Sequence, residues 1–544
     1  MRHRDRHPLS ETAVFLSVRV DIRHTWNDLT GFAVARRFEA PQRVCTKPGA
    51  RAPRGSQDDG MGGCPVLSWK RDNSAAANFM VSAAMWLVIG VLMGLVLAIE
   101  FVFPDFAAGI PWLVFGRLRQ AHVNTVLFAW LSGAMMGMWL YIVPRLTGRK
   151  MWSEQLGNVC ALLWNLALAA GIVGILMAAT QSREYAELIW PIDVAVMLVL
   201  ILNMVNIYMT IRHRVEPKLY VSLWYIIGTV VWFPLLYFIG NVMWNPPTGA
   251  LTGINDAIFN WFYGHNVLGL WFTTGLLAVI YFIVPREAGT PLYSHFLSLI
   301  AFWGIAFFYT GVGAHHLLWA PIPDWLKTIA VAESFAMVIP VLAFFFNIWL
   351  TMRGNWGRLR SSVPLLYVIT GWAAYILVSF QGSNEALRSV NELTHFTQYV
   401  PGHAHLALMF FAASTLIGAL YYALPRIYGC RLFSTRMAKA QYALYVIGFV
   451  TFFLGFTFSG LEQGSSWVNL GLPVWAVLPG LRTYMALRIM GGVLLVTSFG
   501  MFAYNVIATI VVRLPLDAPK FSLTPAPSSP EPEPTKAEGG VTQR

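Results

Sequence analysis

The sequence predicts an all-α polytopic membrane protein with twelve transmembrane helices, and three observations lead to this fold class. First, 56% of the 544 residues are hydrophobic and only 12% are charged, about half of the roughly 25% typical of a soluble domain. Second, the apolar residues form continuous runs of about 20 residues, long enough to cross a bilayer. Third, these runs lack the alternation that strands of a membrane barrel require. The composition therefore excludes a cytosolic enzyme, a disulfide scaffold and a disordered protein.

Twelve apolar runs are predicted to be membrane-spanning helices, and prolines and charges separate them, as at Pro144-Arg145 and Pro425-Arg426. In chain order the predicted spans cover residues 76–103, 121–143, 156–179, 189–211, 220–244, 257–284, 295–319, 326–352, 364–385, 400–424, 437–460 and 485–512. We find no sequence repeat with a period of 20–50 residues.

Lys and Arg residues accumulate in the loops that follow the even-numbered spans. When residues at the span ends are counted, these loops hold 14 of them, including Arg145, Arg149 and Lys150, against 7 in the loops after the odd-numbered spans. Loops rich in positive charge stay on the cytoplasmic side of a membrane. We therefore predict that the even-numbered loops and both termini are cytoplasmic.

Two terminal segments differ from the helical domain, which we place at residues 76–512. Residues 1–75 carry 13 Lys and Arg against 8 Asp and Glu. We expect a disordered basic extension, or an over-extended reading frame with Met61 or Met80 as a later start. An RNA- or lipid-binding arm is the alternative, but no motif supports it, and we expect no nucleic-acid partner. Residues 513–544 are rich in Pro and Glu, which predicts a disordered cytoplasmic tail.

The four cysteines, Cys45, Cys64, Cys160 and Cys430, form no C-x-x-C or C-x-x-C-H motif. Covalently attached c-type haem and a dithiolate copper centre are therefore not expected in this chain. If the protein is redox-active, its electrons arrive from another subunit.

Six of the twelve histidines lie inside predicted spans, where an ionisable side chain is costly and points to function. They are His122, His265, His315, His316, His403 and His405. The predicted orientation places all six in the outer half of the bilayer, on four different helices. Any one of them alone is as readily a hydrogen-bonded core residue, but six in one leaflet favour cofactor binding.

The spacing of these histidines indicates what they bind. His403 and His405 point about 200° apart around one helix, so they reach two cofactors rather than one metal. His315 and His316 are adjacent, and with His265 they complete a three-histidine copper or zinc site with an open position. Imidazole also ligates haem iron. The six histidines thus account for one haem with two histidine ligands, one haem with one, and one three-histidine metal.

Several segments resemble subunit I of the haem-copper oxidases, most closely the cbb3-type cytochrome c oxidases. The resemblance covers residues 76–512 and excludes both tails. The matching segments are Phe-Gly-Arg-Leu-Arg-Gln-Ala-His122, Ser-Arg-Glu-Tyr-Ala-Glu187, Tyr-Gly-His265-Asn, Tyr309-x5-His315-His316, Thr-His395-Phe-Thr and Gly-His403-x-His405.

The resemblance implies a role for each of the six histidines. His122 and His405 are similar to the axial ligands of a low-spin haem b, and His403 to the proximal ligand of a high-spin haem b. The remaining three, His265, His315 and His316, are similar to the ligands of one copper ion.

Tyr309 is similar to the tyrosine that this family cross-links to its first copper histidine, here His265. Tyr309 and His316 are seven residues apart, which places them on one face of a continuous helix. A phenol beside an O2-binding site supplies an electron and a proton for O–O cleavage.

Further polar residues match positions around the haems. Arg117 and Arg119 are suited to haem propionates by charge-assisted pairing, with interfacial snorkelling as the alternative, and His395 matches a residue near the propionates of the high-spin haem. Glu184 and Glu187 resemble an acidic motif that helps to hold a calcium ion; an ordinary solvated loop is the alternative. Tyr293 and Ser298 are a candidate start of a proton path to Tyr309.

One position departs from the family pattern. Where the family usually has Phe-Glu-Gly in the ninth span, this chain has Phe380-Gln381-Gly382. Glutamine cannot titrate, so a buried acid near the high-spin haem is missing, and Glu385, one helical turn later, is its candidate replacement.

The resemblance implies the catalytic subunit of a terminal respiratory oxidase in the bacterial cytoplasmic (inner) membrane. This enzyme reduces O2 to water with electrons from c-type cytochrome subunits and translocates protons. A nitric oxide reductase-like enzyme is the alternative, but its extra glutamate ligand corresponds to Gly269 here. A secondary transporter gives no reason for six histidines in one leaflet.

Overall fold

The computed structural model describes residues 69, 71–181, 183–243 and 253–516. Within these residues the regular secondary structure is helical throughout, with no strand, which confirms the predicted fold class. Eleven stretches are long and apolar enough to span a membrane, and a shorter apolar helix lies at the seventh predicted span. In chain order they are α1 Ser74–Val102, α2 Phe115–Thr147, α3 Glu154–Leu176, α4 Trp190–Arg212, α5 Val221–Val242, α6 Ile254–Ala288, α7 His295–Phe308, α8 Asp324–Thr351, α9 Val363–Glu385, α10 Tyr399–Tyr428, α11 Thr435–Val468 and α12 Val474–Val512.

The two predicted tails lie almost entirely outside the described residues. The helix α1 begins at Ser74, two residues before the predicted span, and α12 ends at Val512. The predictions for residues 1–75 and 513–544 therefore remain predictions.

The seventh span differs from its prediction because α7 ends at Phe308 rather than near residue 319. A turn follows, and a 3-10 helix, Val312–Leu317, carries the two adjacent histidines. The expectation that Tyr309 and His316 share one helix face is therefore wrong. The chain leaves the helix at glycines that approach their neighbours closely: a Cβ on Gly311 would overlap the Glu333 carboxylate, and one on Gly313 would overlap a backbone carbonyl.

The helices α2, α6 and α10 form the centre of the bundle. In the most apolar part of α2 and of α6, 94% of the residues are buried, and in α10 78% are; in the other long spans the share is 22–56%. The outer helices therefore face lipid, whereas the three central helices face protein. Each central helix also contains a π-helical segment, Thr125–Ser132, Val267–Thr273 or Leu406–Ala413, that begins one to three residues after a histidine. Such segments are frequent at functional sites.

The three central helices end in the same way. Each carries the sequence Pro-Arg-x-x-Gly, and its glycine has a positive φ of 65–68°. Each arginine donates to the carbonyl oxygen of the aromatic residue four positions earlier, at 2.7–2.8 Å, and stacks on that ring. The three rings, those of Tyr141, Phe282 and Tyr422, contact one another edge to face with centroids 6.1–6.3 Å apart. They join α2, α6 and α10 at one end of the bundle.

The helices that follow are fixed by a second repeated element. A serine five residues after each glycine caps the next helix, and a buried asparagine from two helices later in the chain clamps that serine. The asparagine Oδ1 accepts from the serine N–H at 3.0 Å, and its Nδ2 donates to the serine carbonyl at 2.7–3.0 Å. The pairs are Ser153 with Asn206, Ser294 with Asn347 and Ser434 with Asn505. The chain therefore consists of three four-helix units, α1–α4, α5–α8 and α9–α12, whose prolines Pro144, Pro285 and Pro425 recur every 140 or 141 residues.

Candidate metal centre

Three histidines form a cluster at one end of α6 and α7. One ligand nitrogen from each of His265, His315 and His316 lies within 4.8 Å of the others, and among the described residues this is the group of histidine, cysteine and acidic side chains with metal-binding geometry. The ring centroids are 4.6–5.2 Å apart. Each of the three residues is only half-buried, so their rings border open space inside the bundle. Three imidazoles around one point suit copper or zinc with a free position.

A serine of α8 sets the protonation state of His315. The Ser334 hydroxyl donates to the carbonyl of Ala330 at 2.6 Å, and His315 Nδ1 lies 2.8 Å from the same hydroxyl oxygen. Because Ser334 has one proton, and that proton is used, His315 must donate from Nδ1. Its Nε2 therefore carries a lone pair, as a metal ligand requires.

The other two histidines of the cluster are held without such a donor. His316 stacks on Trp261, with centroids 3.9 Å apart and planes 13° apart. The Nδ1 atom of His265 is buried and has no hydrogen-bond partner among the described residues. A buried nitrogen without a partner costs stability unless a ligand satisfies it. The donor set therefore fits a bound metal.

Tyr309 borders the cluster although its helix ends before it. The Tyr309 ring lies 5.2 Å from that of His265, at 48°, and its backbone caps α7. A Cβ on Gly269 would overlap the Tyr309 ring. Gly269 thus lets the phenol approach, and no carboxylate side chain fits at this position.

His122 and His405 form a second site between α2 and α10. Their rings are nearly parallel, at 20°, with centroids 6.5 Å apart. Each Nδ1 lies 2.7–2.8 Å from a backbone carbonyl, Gly90 for His122 and Pro401 for His405. A carbonyl only accepts, so both Nδ1 atoms donate and both Nε2 atoms keep a lone pair. Two metal–nitrogen bonds of about 2 Å, together with the two rings, span this separation, so the pair fits a haem iron with two histidine ligands.

His403 faces away from this pair, toward α9. Its Nδ1 lies 3.2 Å from Gln381 Oε1 and 3.8 Å from Glu385 Oε1. Gln381 thus occupies the position beside His403 where the family pattern has an acid, and Glu385 is the nearest carboxylate. His403 is also within electrostatic range of His265, His315 and His316. The structure therefore places one further ligand-type histidine beside the three-histidine cluster.

Three of the predicted outer residues meet in one polar cluster. Arg119 and Glu184 form a two-point ion pair, at 2.5 and 3.1 Å, so both oxygens of Glu184 are engaged. Glu187 is 2% exposed and accepts from the Asn124 amide at 3.0 Å. Burial, and secondarily the charge of Glu184, raise the pKa of Glu187 to about 7. The two glutamates do not converge as a metal-ligand pair.

The two other predicted outer residues have different surroundings. Arg117 donates to the carbonyl of Leu176 at 3.3 Å. His395 follows the short helix Arg388–Thr394 and packs against Phe396 at 4.0 Å. Burial lowers the pKa of His395, which favours the neutral ring.

Arg488 of α12 is a candidate site residue that the sequence reasoning missed. It is 6% exposed, lies over the Phe456 ring at 3.9 Å and donates to Gln398 at 3.2 Å. His405 packs on the other side of this aromatic contact, 5.1 Å from Phe456. The Arg488 Nε has no partner among the described residues, and a buried charge needs a counter-ion. A lone arginine inside an apolar span was the signal in the sequence.

The fold and the site together define a polytopic helical membrane protein with a three-histidine metal centre beside histidines prepared to ligate haem. Residues 74–494 match the family described as cytochrome c and quinol oxidase polypeptide I, and the chain belongs to this family. The predicted resemblance and the predicted enzyme class, a haem-copper oxidoreductase, are thereby confirmed. Membership implies haem groups and a copper ion.

The chain is similar to several characterised proteins. It is 28% identical over 452 residues to the cbb3-type cytochrome c oxidase subunit CcoN1 of Stutzerimonas stutzeri, covering 81% of this chain and 95% of the relative. It is 29% identical to cytochrome c oxidase subunit 1 of Rhodobacter capsulatus, over 79% of this chain and 84% of the relative. A nitric oxide reductase of Stutzerimonas stutzeri is more distant, with one of its chains 25% identical over 66% of this chain and 77% of that relative. Among solved structures, a haem-copper terminal oxidase dimer shares the fold, with a TM-score of 0.68, 15% identity and coverage of 82% and 84%.

Proposed function

We propose that this chain is the catalytic subunit of a cbb3-type terminal oxidase that reduces O2 to water and translocates protons. The observation that carries the proposal is the cluster of His265, His315 and His316 with the Tyr309 phenol at its edge. When bound, haem iron and copper supply the electrons and the coordination position for O2. The residues of this chain hold these groups, exclude competing ligands and move protons.

The six histidines divide into three ligand sets. His122 and His405 hold a low-spin haem b, because both Nε2 lone pairs are left free by backbone carbonyl acceptors. His403 holds a high-spin haem b through the nitrogen that Gln381 does not contact. His265, His315 and His316 hold copper, with His315 oriented by Ser334.

The charged residues at the outer ends of the helices bind the haem carboxylates. Arg117 and His395 are in this set, and Arg119 contributes its Nε–H, because its terminal nitrogens are engaged by Glu184. Arg488 joins them, since its buried charge lacks an anion. A calcium ion at Glu184 and Glu187 stays a proposal, and it requires Glu184 to leave Arg119.

Tyr309 donates a proton and an electron at the edge of the copper cluster, and its protons come from the inner side. Tyr293 is exposed at the inner end of α7, and Ser298 is buried one turn deeper. The Tyr225 hydroxyl reaches the Ser298 carbonyl at 3.5 Å, and Thr229 donates to Thr274 at 2.7 Å. The hydroxyls of Tyr281 and Tyr375 are buried without partners among the described residues, which suits bound water. These groups support a path toward Tyr309.

The remaining proposals concern the setting of the enzyme. Electrons come from c-type cytochrome subunits of the same complex, because this chain has no motif for covalent haem. The complex lies in the bacterial inner membrane, in contact with lipid, and both termini are cytoplasmic. A nitric oxide reductase-like activity is less well supported, because Gly269 leaves no space for the glutamate ligand that such an enzyme adds.

The test is the composition of the purified complex together with one variant. We expect copper by elemental analysis and a low-spin haem b absorbance. His265→Ala should abolish O2 reduction and copper binding while the low-spin spectrum stays intact. His295→Ala, at the exposed inner end of α7, is the matched control and should leave all three unchanged. Iron without copper would favour the reductase, and loss of the low-spin spectrum in His265→Ala would refute the ligand assignment.

A further inference from the structure

A cleft of about 880 Å³ opens at the end of the bundle that we predict to be cytoplasmic. The loop before α9 and the loop between α10 and α11 form its sides, and the chain after α12 closes it at Leu514 and Leu516. Its volume is within the range of pockets that hold organic ligands, about 300–1,000 Å³. No part of the proposed oxidase chemistry uses it.

The rim of the cleft is strongly basic. Four arginines line it, Arg358, Arg426, Arg431 and Arg436, and Glu287 is the single acidic residue among the described lining residues. Arg358 donates to a backbone carbonyl at 3.1 Å, so its charge is not neutralised. Arg436 is exposed and makes no hydrogen bond or ion pair with the described residues.

Glu287 is already fully engaged. One of its oxygens accepts from Arg426 at 2.9 Å, and the other accepts from the Ser362 hydroxyl at 2.5 Å. The rim therefore keeps positive charge at Arg358 and Arg436 that Glu287 does not compensate. An anion is the ligand that this rim would attract.

The floor of the cleft and its exit are apolar. Phe433 and Leu516 line the cleft, and Phe433 contacts Tyr504 edge to face at 6.1 Å. Beyond them the surface of α12 is exposed and apolar, with Val511 68% and Val512 52% exposed. Since α12 spans the membrane, this surface lies at the level where lipid headgroups meet acyl chains.

We infer that this cleft binds one anionic phospholipid, whose phosphate contacts Arg358 and Arg436 and whose acyl chain lies along α12. A basic rim above an apolar exit matches an anion that carries a hydrocarbon chain. A free phosphate would use the rim alone. Basic pockets between transmembrane helices on the cytoplasmic side are suited to anionic headgroups.

The experiment measures lipid bound to the delipidated full-chain complex by native mass spectrometry. The complex is titrated with phosphatidylglycerol, with phosphatidylcholine and with inorganic phosphate. We expect one phosphatidylglycerol to bind in preference to phosphatidylcholine. The double variant Arg358→Gln/Arg436→Gln should lose about 25-fold in affinity, because each basic residue near an anionic headgroup is worth about fivefold. The control Arg149→Gln/Arg353→Gln, two exposed arginines outside the cleft, should stay within twofold of the wild type.

Several results would overturn the inference. Equal binding of both lipids, equal losses in the two double variants, or displacement of the lipid by inorganic phosphate would each refute a lipid site. The haem absorbance of each variant verifies that the complex is intact. A second measurement needs no variant: the preference for phosphatidylglycerol should weaken as salt rises, and a preference that is independent of salt would contradict a charged rim.

Discussion

Ser334 is a side chain that touches no cofactor and still prepares a ligand. Its only proton goes to Ala330, so its oxygen must accept from His315. This contact fixes both the tautomer and the orientation of the ring. Contacts of this kind usually change metal affinity by 10–100-fold when they are lost.

We therefore predict that Ser334→Ala weakens copper binding by about 10–100-fold and lowers O2 reduction in proportion. The low-spin haem spectrum should not change, because His122 and His405 are held by backbone carbonyls. Copper content after dialysis against graded chelator measures the effect. The control is Ser379→Ala, whose hydroxyl donates only to a backbone carbonyl of α9 at 2.7 Å. Equal copper retention in both variants would show that Ser334 does not position the ligand.

Glu187 gives the protein a pH-dependent stability. Its pKa in the folded chain is about 7, raised mainly by burial from an ordinary value of 4.5. Between these two values the folded state holds a proton that the unfolded state has released. Stability therefore falls as pH rises through this window, by about 3 kcal/mol at most, and is constant above it.

Glu187→Gln should remove this slope. The amide still offers an oxygen to Asn124, so the variant should match the wild type near pH 5 and exceed its stability at pH 8. Thermal loss of the haem absorbance between pH 5 and 8 measures this. Glu216→Gln, in an exposed loop, should keep the slope of the wild type. A slope that survives in Glu187→Gln would assign the pH dependence to another group.

At the level of the helices, the three serine–asparagine clamps are one joint used three times. Asn206, Asn347 and Asn505 are each fully buried, and each satisfies both backbone groups of its serine. Replacement by alanine leaves a donor and an acceptor without partners, at about 1–3 kcal/mol each. We predict that the three Asn→Ala variants are each destabilised by about 2–4 kcal/mol.

The three losses should also agree with one another to within about 1 kcal/mol. Thermal unfolding followed by the haem absorbance tests this, with Asn384→Ala as the control, since that exposed side chain bonds only to its own helix at 3.0 Å. A large effect at one joint and none at the others would contradict their equivalence.

These joints show why part of the fold could not be predicted from the sequence. Hydropathy alone identified eleven spans, because a long apolar run in a membrane protein has few alternatives. The repeat escaped a search at 20–50 residues because its period is about 140 residues and only a few positions recur, namely Pro-Arg-x-x-Gly-x4-Ser and Asn-x3-Thr. The end of α7 depends on how closely Gly311 and Gly313 approach other helices, which a hydropathy profile cannot indicate.

The candidate site divides in the same way. Histidines are rare in the spans, so each one could be found and grouped by spacing. Ser334 and Gly269 are ordinary residues of a membrane helix, and their roles depend on His315 and Tyr309, which belong to other segments. Arg488 was detectable as a charge inside an apolar span, but its neighbour His405 comes from a different helix.

At the scale of the whole molecule, the charge distribution and the three joints define the same two ends of the bundle. The loops that carry 14 of the Lys and Arg residues are those that the Pro-Arg-x-x-Gly ends, the serine caps and the lipid cleft occupy. The histidines lie toward the opposite end of the central helices. If the basic end is cytoplasmic, protons enter near Tyr293 and the anionic lipid comes from the inner leaflet.

This orientation can be measured with single cysteines. In a background with Cys45 and Cys64 replaced by serine, and with Cys160 and Cys430 buried, we would introduce Leu470→Cys after α11 or Arg353→Cys after α8; both positions are exposed. Since positive loops remain inside, a membrane-impermeant maleimide should label Leu470→Cys in intact spheroplasts, and Arg353→Cys only after permeabilisation. The reverse pattern would invert the bundle. Proton entry near Tyr293 would then be from the outer side, and the lipid cleft would face the outer leaflet.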